Sequence, residues 1–345
     1  MTSTTDDTDS AGRTDGADGA DGSGTPDTAS AAARSSESHT YTALRAELAT
    51  LTTEAFRDDL AEIDRLPTKE IARIMNGEDS SVPAAVARQL PRIAAAIDAA
   101  AQRMAGGGRL IYTGAGTAGR LGVLDASECP PTFNTDPSEV VGIIAGGPGA
   151  LVTSVEGAED SAELAAQDLD ERSLTGADVV VGISASGRTP YAVGAVRHAR
   201  DRGALTIGLS CNADSPLAAA ADHGIEVVVG PELISGSTRL KAGTAQKLVL
   251  NMISTITMIR LGKTYGNLMV DVRASNDKLR ARSRRIVAQA TGAPDETIEN
   301  ALLAADGEVK QAILMILADV DARTAADLLD RSRGRLREAL ETAGS

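Results

Sequence analysis

The stretch RLIYTGAGTAGR, residues 109–120, joins a short apolar run to a loop of small residues and then to a segment with helical spacing. An apolar run, a glycine-rich turn and a change of period together mark a strand–loop–helix unit. Four more runs rich in Val, Ile and Leu follow it: EVVGII at 139, DVVVGIS at 178, LTIGLS at 205 and IEVVVG at 225. Most lack the alternation of a strand wetted on one face, and segments of helical length or turn clusters separate them. They predict a doubly wound α/β fold whose parallel five-stranded sheet is covered by helices on both faces. In this class ligands sit outside the carboxyl ends of the strands.

Residues 41–105, before the first run, read as a helical segment that packs on the sheet. In PAAVARQLPRIAAAIDAAAQRM, Leu90, Ile93 and Ile97 recur at spacings of three and four. After the sheet, a helix is expected from about Leu240 to Leu261. Its LVLNMISTITMI core is apolar nearly all round, which implies burial, in part against a second subunit. Residues 106–272 therefore form the sheet domain, and 273–345 a small domain of short helices. Residues 1–40 hold Gly, Ala, Ser, Thr and Asp with almost nothing large and apolar, a composition that cannot offset its ordering entropy. An acidic, disordered tail is expected there.

The totals exclude several classes of function. The formal charge of -14 and the near absence of aromatic residues argue against a nucleic-acid partner. No run approaches the roughly 20 apolar residues of a membrane helix, and the first 40 residues lack the features of a secretory signal, so a cytoplasmic protein is expected. Cys129 and Cys211, with His39, His198 and His223 scattered, make neither a disulfide framework nor a spaced metal site. The expected chemistry uses no metal and no cofactor.

Two loops have the composition of a phosphate cradle. In GAGTAGR, Gly114, Gly116 and Gly119 match G-x-G-x-x-G. However, the acidic residue a dinucleotide site needs about 20 residues later falls in the PPTFNTDPSE loop, before the second strand begins. A tight turn would also need these small residues. SASGRTP, residues 184–190, offers Ser184, Ser186 and Thr189 at the start of a helix, where free amides and the helix dipole favour an anion. An N-cap accounts for one of those hydroxyls, hardly for three. A third cluster, SGSTRLKAGTAQK at 235–247, supplies Arg239, Lys241 and Lys247, either as phosphate partners or as surface charges.

Two carboxylates stand out by placement. In LDASECPPTF, residues 124–133, Glu128 shares a helix face with Leu121 and Leu124, and Pro130 and Pro131 are expected to end the helix just beyond it. There the negative end of the helix dipole disfavours an ionised carboxylate, which suits a general acid. In GALVTSVEGAEDSAELAAQDL, residues 149–169, Leu151, Val155, Glu159 and Ala162 form one stripe at helical spacing, so Glu159 interrupts an apolar face. Cys129 reads as a small buried hydrophobe, with no histidine beside it to make a nucleophile.

Taken together, GGRLIYTGAGTAGRLGVLDASECPPTF, VVGIIAGG, VEGAEDS, VVVGISASGRTPY and GSTRLKAGTAQKLVLNMISTITMIRLGKTYGNLMVDVRASNDKLRARSRRIV resemble the N-acetylmuramic acid 6-phosphate etherase family. The resemblance implies a sugar isomerase domain, a homodimer and a C-terminal domain similar to ubiquitin-associated domains. It also implies a lyase that cleaves the D-lactyl ether of a phosphosugar. Glu128 would protonate the departing lactate and later activate water, and Glu159 would be the second essential carboxylate. The phosphate would rest on Gly114, Gly116 and Thr117 of the first loop and on Ser184, Ser186, Gly187 and Thr189 of the second, with Lys241 a further candidate. The chain departs from the family in having Ala118 where a serine is usual. Its TEAFRDD also lacks the Asn and Pro of the family's T-E-x-R-N-P element. A sugar-phosphate-binding regulator of the glucokinase-regulator type shares the architecture without the activity, and an isomerase shares C2 proton abstraction; retention of both glutamates favours the etherase.

Overall fold

The computed structural model describes residues 48–272 and 277–344. The tail expected to be disordered over 1–40, and the first residues of the 41–105 segment, lie outside the described residues.

The sheet has the expected composition and direction. Strands β1 (Leu110–Gly114), β2 (Val140–Ile144), β3 (Val179–Ile183), β4 (Leu205–Ser210) and β5 (His223–Glu226) pair in parallel in the order β2-β1-β3-β4-β5. All five residues of β1, all five of β3 and all six of β4 are buried, so both faces need apolar side chains and no alternation appears in the sequence. On one face Leu110, Tyr112, Val179, Val181, Ile207 and Leu209 meet Ile93 and Ile97 of α3 (Leu90–Ala105) and the inner sides of α4 (Gly116–Phe133) and α8 (Lys241–Arg260). On the other, Ile111, Ile143 and Val180 meet Ala165 and Leu169 of α5 (Ala162–Glu171) and Tyr191, Ala195 and Ala199 of α6 (Pro190–Asp201). Burying each Val, Ile or Leu contributes about 1.5–3 kcal/mol, so this two-sided core holds the layers together. Ahead of α3 lie α1 (Thr68–Asp79) and α2 (Val82–Ala87), and α7 (Pro216–Ala220) precedes β5.

Four local expectations are corrected. The helix bearing Glu128 does not stop at the prolines: α4 continues through Pro130 and Pro131 to Phe133 and ends at Asn134, whose φ of 50° is left-handed and whose N–H bonds the Pro130 carbonyl. Prolines in a last turn forgo amide bonds but need not break it when packing holds the turn, as buried Cys129 and Phe133 do here. Residues 149–169 are not one helix. Short 3-10 turns at Pro148–Leu151 and Ala158–Asp160 precede α5, which starts where Ser161 accepts the Leu164 amide. The last strand sits two residues earlier than its apolar run. Asp222 accepts the Thr206 amide and hydroxyl at 3.0 and 2.8 Å, pinning the edge so that His223 opposes Ile207, while Val227 and Val229 go into the core. Leu90, at the tip of α3, is 46% exposed rather than aligned with Ile93 and Ile97 in the core.

After α8, a hairpin of β6 (Thr264–Tyr265) and β7 (Leu268–Met269) leads to α9 (Asp277–Thr291), α10 (Asp295–Ala304), α11 (Val309–Ala318), α12 (Ala322–Arg331) and α13 (Leu336–Ala343). Val270 and Val272 are buried with Ile286, Ile313 and Leu336, so this second core begins before the first of these helices. Lys310 reinforces it by bonding Asp271 Oδ1 at 2.6 Å and the Gly334 carbonyl at 2.7 Å.

One charged tie crosses the amino edge of the sheet. Asp178, 2% exposed, accepts from the Arg109 amide and guanidinium and from the Thr175 amide. Burial alone would raise its carboxyl, but Arg109 and the two amides outweigh burial and hold it below the ordinary carboxylate value. A depressed folded-state value stabilises the fold above the unfolded value, near 3.9, and that contribution is lost as pH falls through the folded one. Asp178→Asn is therefore expected to lose about 2 kcal/mol of unfolding free energy at neutral pH. In denaturant titrations the gap to wild type should narrow below about pH 4; a gap independent of pH would contradict this account.

Candidate active site at the switch point of the sheet

In the order β2-β1-β3-β4-β5 the winding reverses between β1 and β3, and the loops that follow these two strands diverge there. Gly114 pairs with Ile183 as the last residues of the two strands. The two loops singled out in the sequence, GAGTAGR and SASGRTP, therefore leave the sheet side by side. Gly114 is buried at the end of β1, Gly116 opens α4 with a φ of 53°, and Thr117 lies against the first turn of α8 near Gly243.

The second loop is held by its own hydroxyls. Ser184, 3% exposed, accepts the Gly187 amide at 3.0 Å and shares hydrogen bonds with Thr189 Oγ1 at 2.8 Å and Ser186 Oγ at 3.2 Å. Ser186 accepts the Arg188 amide. This cluster of hydroxyls, centred on Ser184, shapes the turn ahead of α6. Gly187 has a φ of +69°, and a Cβ there would stand 2.4 Å from the Ser215 Cβ.

Glu159 joins the first loop rather than an apolar helix face. It is exposed in the 3-10 turn before α5 and lines a cavity of about 200 Å³ with Ala115, Gly116, Arg120, Glu156 and Gly157. Arg120, one turn into α4, donates to the carbonyls of Ala150 at 2.7 Å and Leu151 at 3.0 Å, holding the 148–160 segment over α4's amino end. The cavity thus combines a helix amino terminus, an arginine and a carboxylate at the switch point, a set able to bind an anion and move a proton beside it.

Glu128 is not brought there within one chain. It stands twelve positions along α4 from Gly116, about 18 Å of helix at 1.5 Å per residue. The helix runs back along the strands: Gly122 packs on the Tyr112 side chain, and Asp125 accepts the Tyr112 hydroxyl at 2.8 Å and the Asn251 amide at 2.6 Å. Glu128 lies a further turn toward the amino edge, exposed, one turn from Leu124, which is itself 52% exposed. Neighbouring Cys129 is 2% exposed and its thiol is pushed up to about 12, chiefly by burial and then by the Asp125 charge. That is the inert thiol expected.

Lys241 is the first residue of α8 and is 4% exposed; its Nζ is 2.6 Å from Glu78 Oε2. Glu78 also takes Arg57 Nη1 at 2.8 Å. Burial pushes the Glu78 carboxyl up, but the two cations outweigh it and hold it low. Arg239 and Lys247 are exposed. The positive end of α8 is occupied as well: Glu232, fully buried, accepts the Lys241 and Ala242 amides at 2.9 Å each, and burial raises its carboxyl. The sequence reading passed over Arg120, Glu232 and Asn212. Arg120 closes the GAGTAGR motif itself and Asn212 belongs to a third small polar loop at the carboxyl end of a strand, so these two carried a usable signal.

The fold and this crevice define a sugar-isomerase (SIS) domain. A family model described as the glucokinase regulatory protein N-terminal SIS domain matches residues 92–200, and one described as the SIS domain matches 159–256. Similarity to whole proteins is more specific. A protein of Streptomyces avermitilis named N-acetylmuramic acid 6-phosphate etherase is 77% identical over 90% of this chain and 99% of its own length. Proteins of the same name from Rubrobacter xylanophilus and Vibrio campbellii are 61% and 55% identical, over 85% and 88% of this chain and 97% and 98% of their own. The chain belongs to the N-acetylmuramic acid 6-phosphate etherase family.

Gly187→Ala is expected to lower stability by about 3 kcal/mol, combining an overpacked contact with a left-handed backbone. Chemical denaturation measures it, and a loss below about 1 kcal/mol would mean that the loop moves freely to accept a methyl group.

Proposed function

We propose that this chain cleaves the D-lactyl ether of N-acetylmuramic acid 6-phosphate, releasing N-acetylglucosamine 6-phosphate and D-lactate. The observation that carries the proposal is the family membership, with Glu159 and the GAGTAGR loop lining one cavity at the switch point. The 6-phosphate lies between Gly116–Thr117 and the Ser184–Thr189 loop, where helix amino ends favour a dianion. Ring opening exposes a C1 aldehyde, which acidifies the C2 proton. A base, Glu159 or a group it assists, removes that proton. Glu128 then donates a proton to the ether oxygen as lactate leaves, and water adds to the unsaturated aldehyde at C3.

Glu128 lies too far down α4 to serve its own chain's cavity, so the reading includes a homodimer in which each protomer's Glu128 completes its partner's crevice. The exposed Leu124 beside it and the half-open outer stripe of α8, with Ile256 and Ile259 exposed, support a protein-covered face. The chain is taken to act in the cytoplasm, with residues 106–272 as the catalytic domain and 273–345 as a helical appendage similar to ubiquitin-associated domains. No helix among the described residues is long and apolar enough to cross a membrane.

Glu128→Gln and Glu159→Gln should each reduce D-lactate release from muramic acid 6-phosphate by about 10²–10⁴-fold, the range for a lost acid or base. Unfolding and refolding the two variants together should restore about a quarter of wild-type activity, because half the dimers are mixed and each mixed dimer holds one intact site. No recovery on mixing would sink the shared site. A wild-type chain that releases no lactate would sink the etherase reading itself.

A further inference from the structure

The segment that departs from the family pattern, TEAFRDD at 53–59, is bolted to the candidate site from two sides. Asn212, two residues beyond β4 and 2% exposed, uses its whole carboxamide for this. Its Oδ1 accepts from the Thr52 amide at 2.9 Å and the Thr52 hydroxyl at 3.0 Å. Its Nδ2 donates to Thr53 Oγ1 at 3.1 Å and to the carbonyl of Ala185 at 3.0 Å. Ala185 lies between Ser184 and Ser186, two of the hydroxyl residues that shape the second loop, and its carbonyl also takes the Cys211 amide. From the other side, the Gly236 amide bonds the Thr53 carbonyl at 3.1 Å, and the Ser235 hydroxyl bonds the Glu54 carbonyl at 2.8 Å. A few residues on, Arg57 reaches Glu78, which holds Lys241 at the start of α8. Residues 52–57 therefore form a strap from the loop after β3 to the loop that enters α8, along the carboxyl edge of the sheet.

A buried carboxamide must match its two acceptor and two donor positions, and here one of the four partners is the Ala185 carbonyl of the loop itself. Buried polar groups are kept where every donor and acceptor is matched, and a matched network specifies one arrangement. Here the arrangement specified is the position of the Ala185 carbonyl, and with it the path of Ser184, Ser186 and Gly187.

We infer that Asn212 is a positioning residue for the phosphate-binding loop, holding it against the strap through the Ala185 carbonyl, so that the strap is one wall of the sugar-phosphate site. This rests on the proposed function for the loop's role as cradle. Asn212 does not touch the reacting atoms; it acts through Ala185. Replacing its amide by a carboxylate of the same shape sets an acceptor against the Ala185 carbonyl and pushes the loop out of place. Thr53→Val removes one partner of the same amide on the side away from the loop and keeps the volume.

The test uses the full chain and two readouts: steady-state kinetics of lactate release, and calorimetric binding of inorganic phosphate, which probes the cradle without chemistry. Asn212→Asp should raise KM and weaken phosphate binding in parallel by about tenfold, with kcat within about twofold of wild type. Thr53→Val should move both in the same direction by about threefold, and it supplies the readout should Asn212→Asp not fold. If the soluble variants show a lowered Tm with KM and phosphate affinity unchanged, the tie is structural only and the inference falls. If kcat drops while phosphate affinity stays, the strap positions something other than the cradle, and the inference again falls. A wild-type chain that binds no phosphate would remove the cradle, and the function proposed for it, altogether.

Discussion

The carboxyl edge of the sheet depends on how closely backbone approaches backbone where β1 turns into α4. A Cβ on Gly119 would stand 2.5 Å from the Gly114 carbonyl oxygen, and one on Gly114 would stand 2.8 Å from that of Ile183. No larger residue fits either place. The first turn of α4 therefore sits down on the end of β1, and β1 and β3 end level with each other. The free amides at the helix start then open onto the crevice at the switch point. From the helix so seated, Arg120 bonds the 150–151 carbonyls and ties the segment before Glu159 to the same crevice.

Around this approach the molecule places charge where it is answered. Asp178 binds the strand starts through Arg109, Glu232 caps α8 through two amides, and Glu78 holds Lys241 and Arg57 together. Such groups are costly to bury alone and stable only when matched. Their effect at the site is subtractive. Lys241 and the amino end of α8 are already engaged by the chain's own carboxylates.

Family membership and crevice geometry meet at one point of tension, the distance between the two glutamates. Glu159 belongs to the cavity at the carboxyl edge, while Glu128 rides α4 about 18 Å of helix beyond Gly116, toward the amino edge. A two-carboxylate reaction needs both at one sugar. The homodimer proposed above would close that distance by symmetric pairing, leaving the sheet and α4 as they are.

The five strands and the two small-residue loops after β1 and β3 were legible because their signals are local: a strand buried on both faces must be apolar throughout, and a chain that turns sharply under a helix must use glycine. The long helix Lys241–Arg260 was likewise visible to within a residue at each end. Where a choice depended on distant packing, the sequence misled. Two prolines read as a helix stop, yet buried Phe133 and left-handed Asn134 carry α4 past them. A helical stripe through Glu159 dissolved into 3-10 turns once Ser161 capped α5. Nothing in the spacing of Lys241 revealed Glu78, 163 residues earlier. The sequence by itself thus determined the layers, the number of strands and the small-residue turns after β1 and β3, because these follow from solvent exclusion and backbone sterics over a few residues. Only the tertiary structure decided which charges are already paired and which acid shares a cavity with which loop, because electrostatic partners are chosen by distance in space.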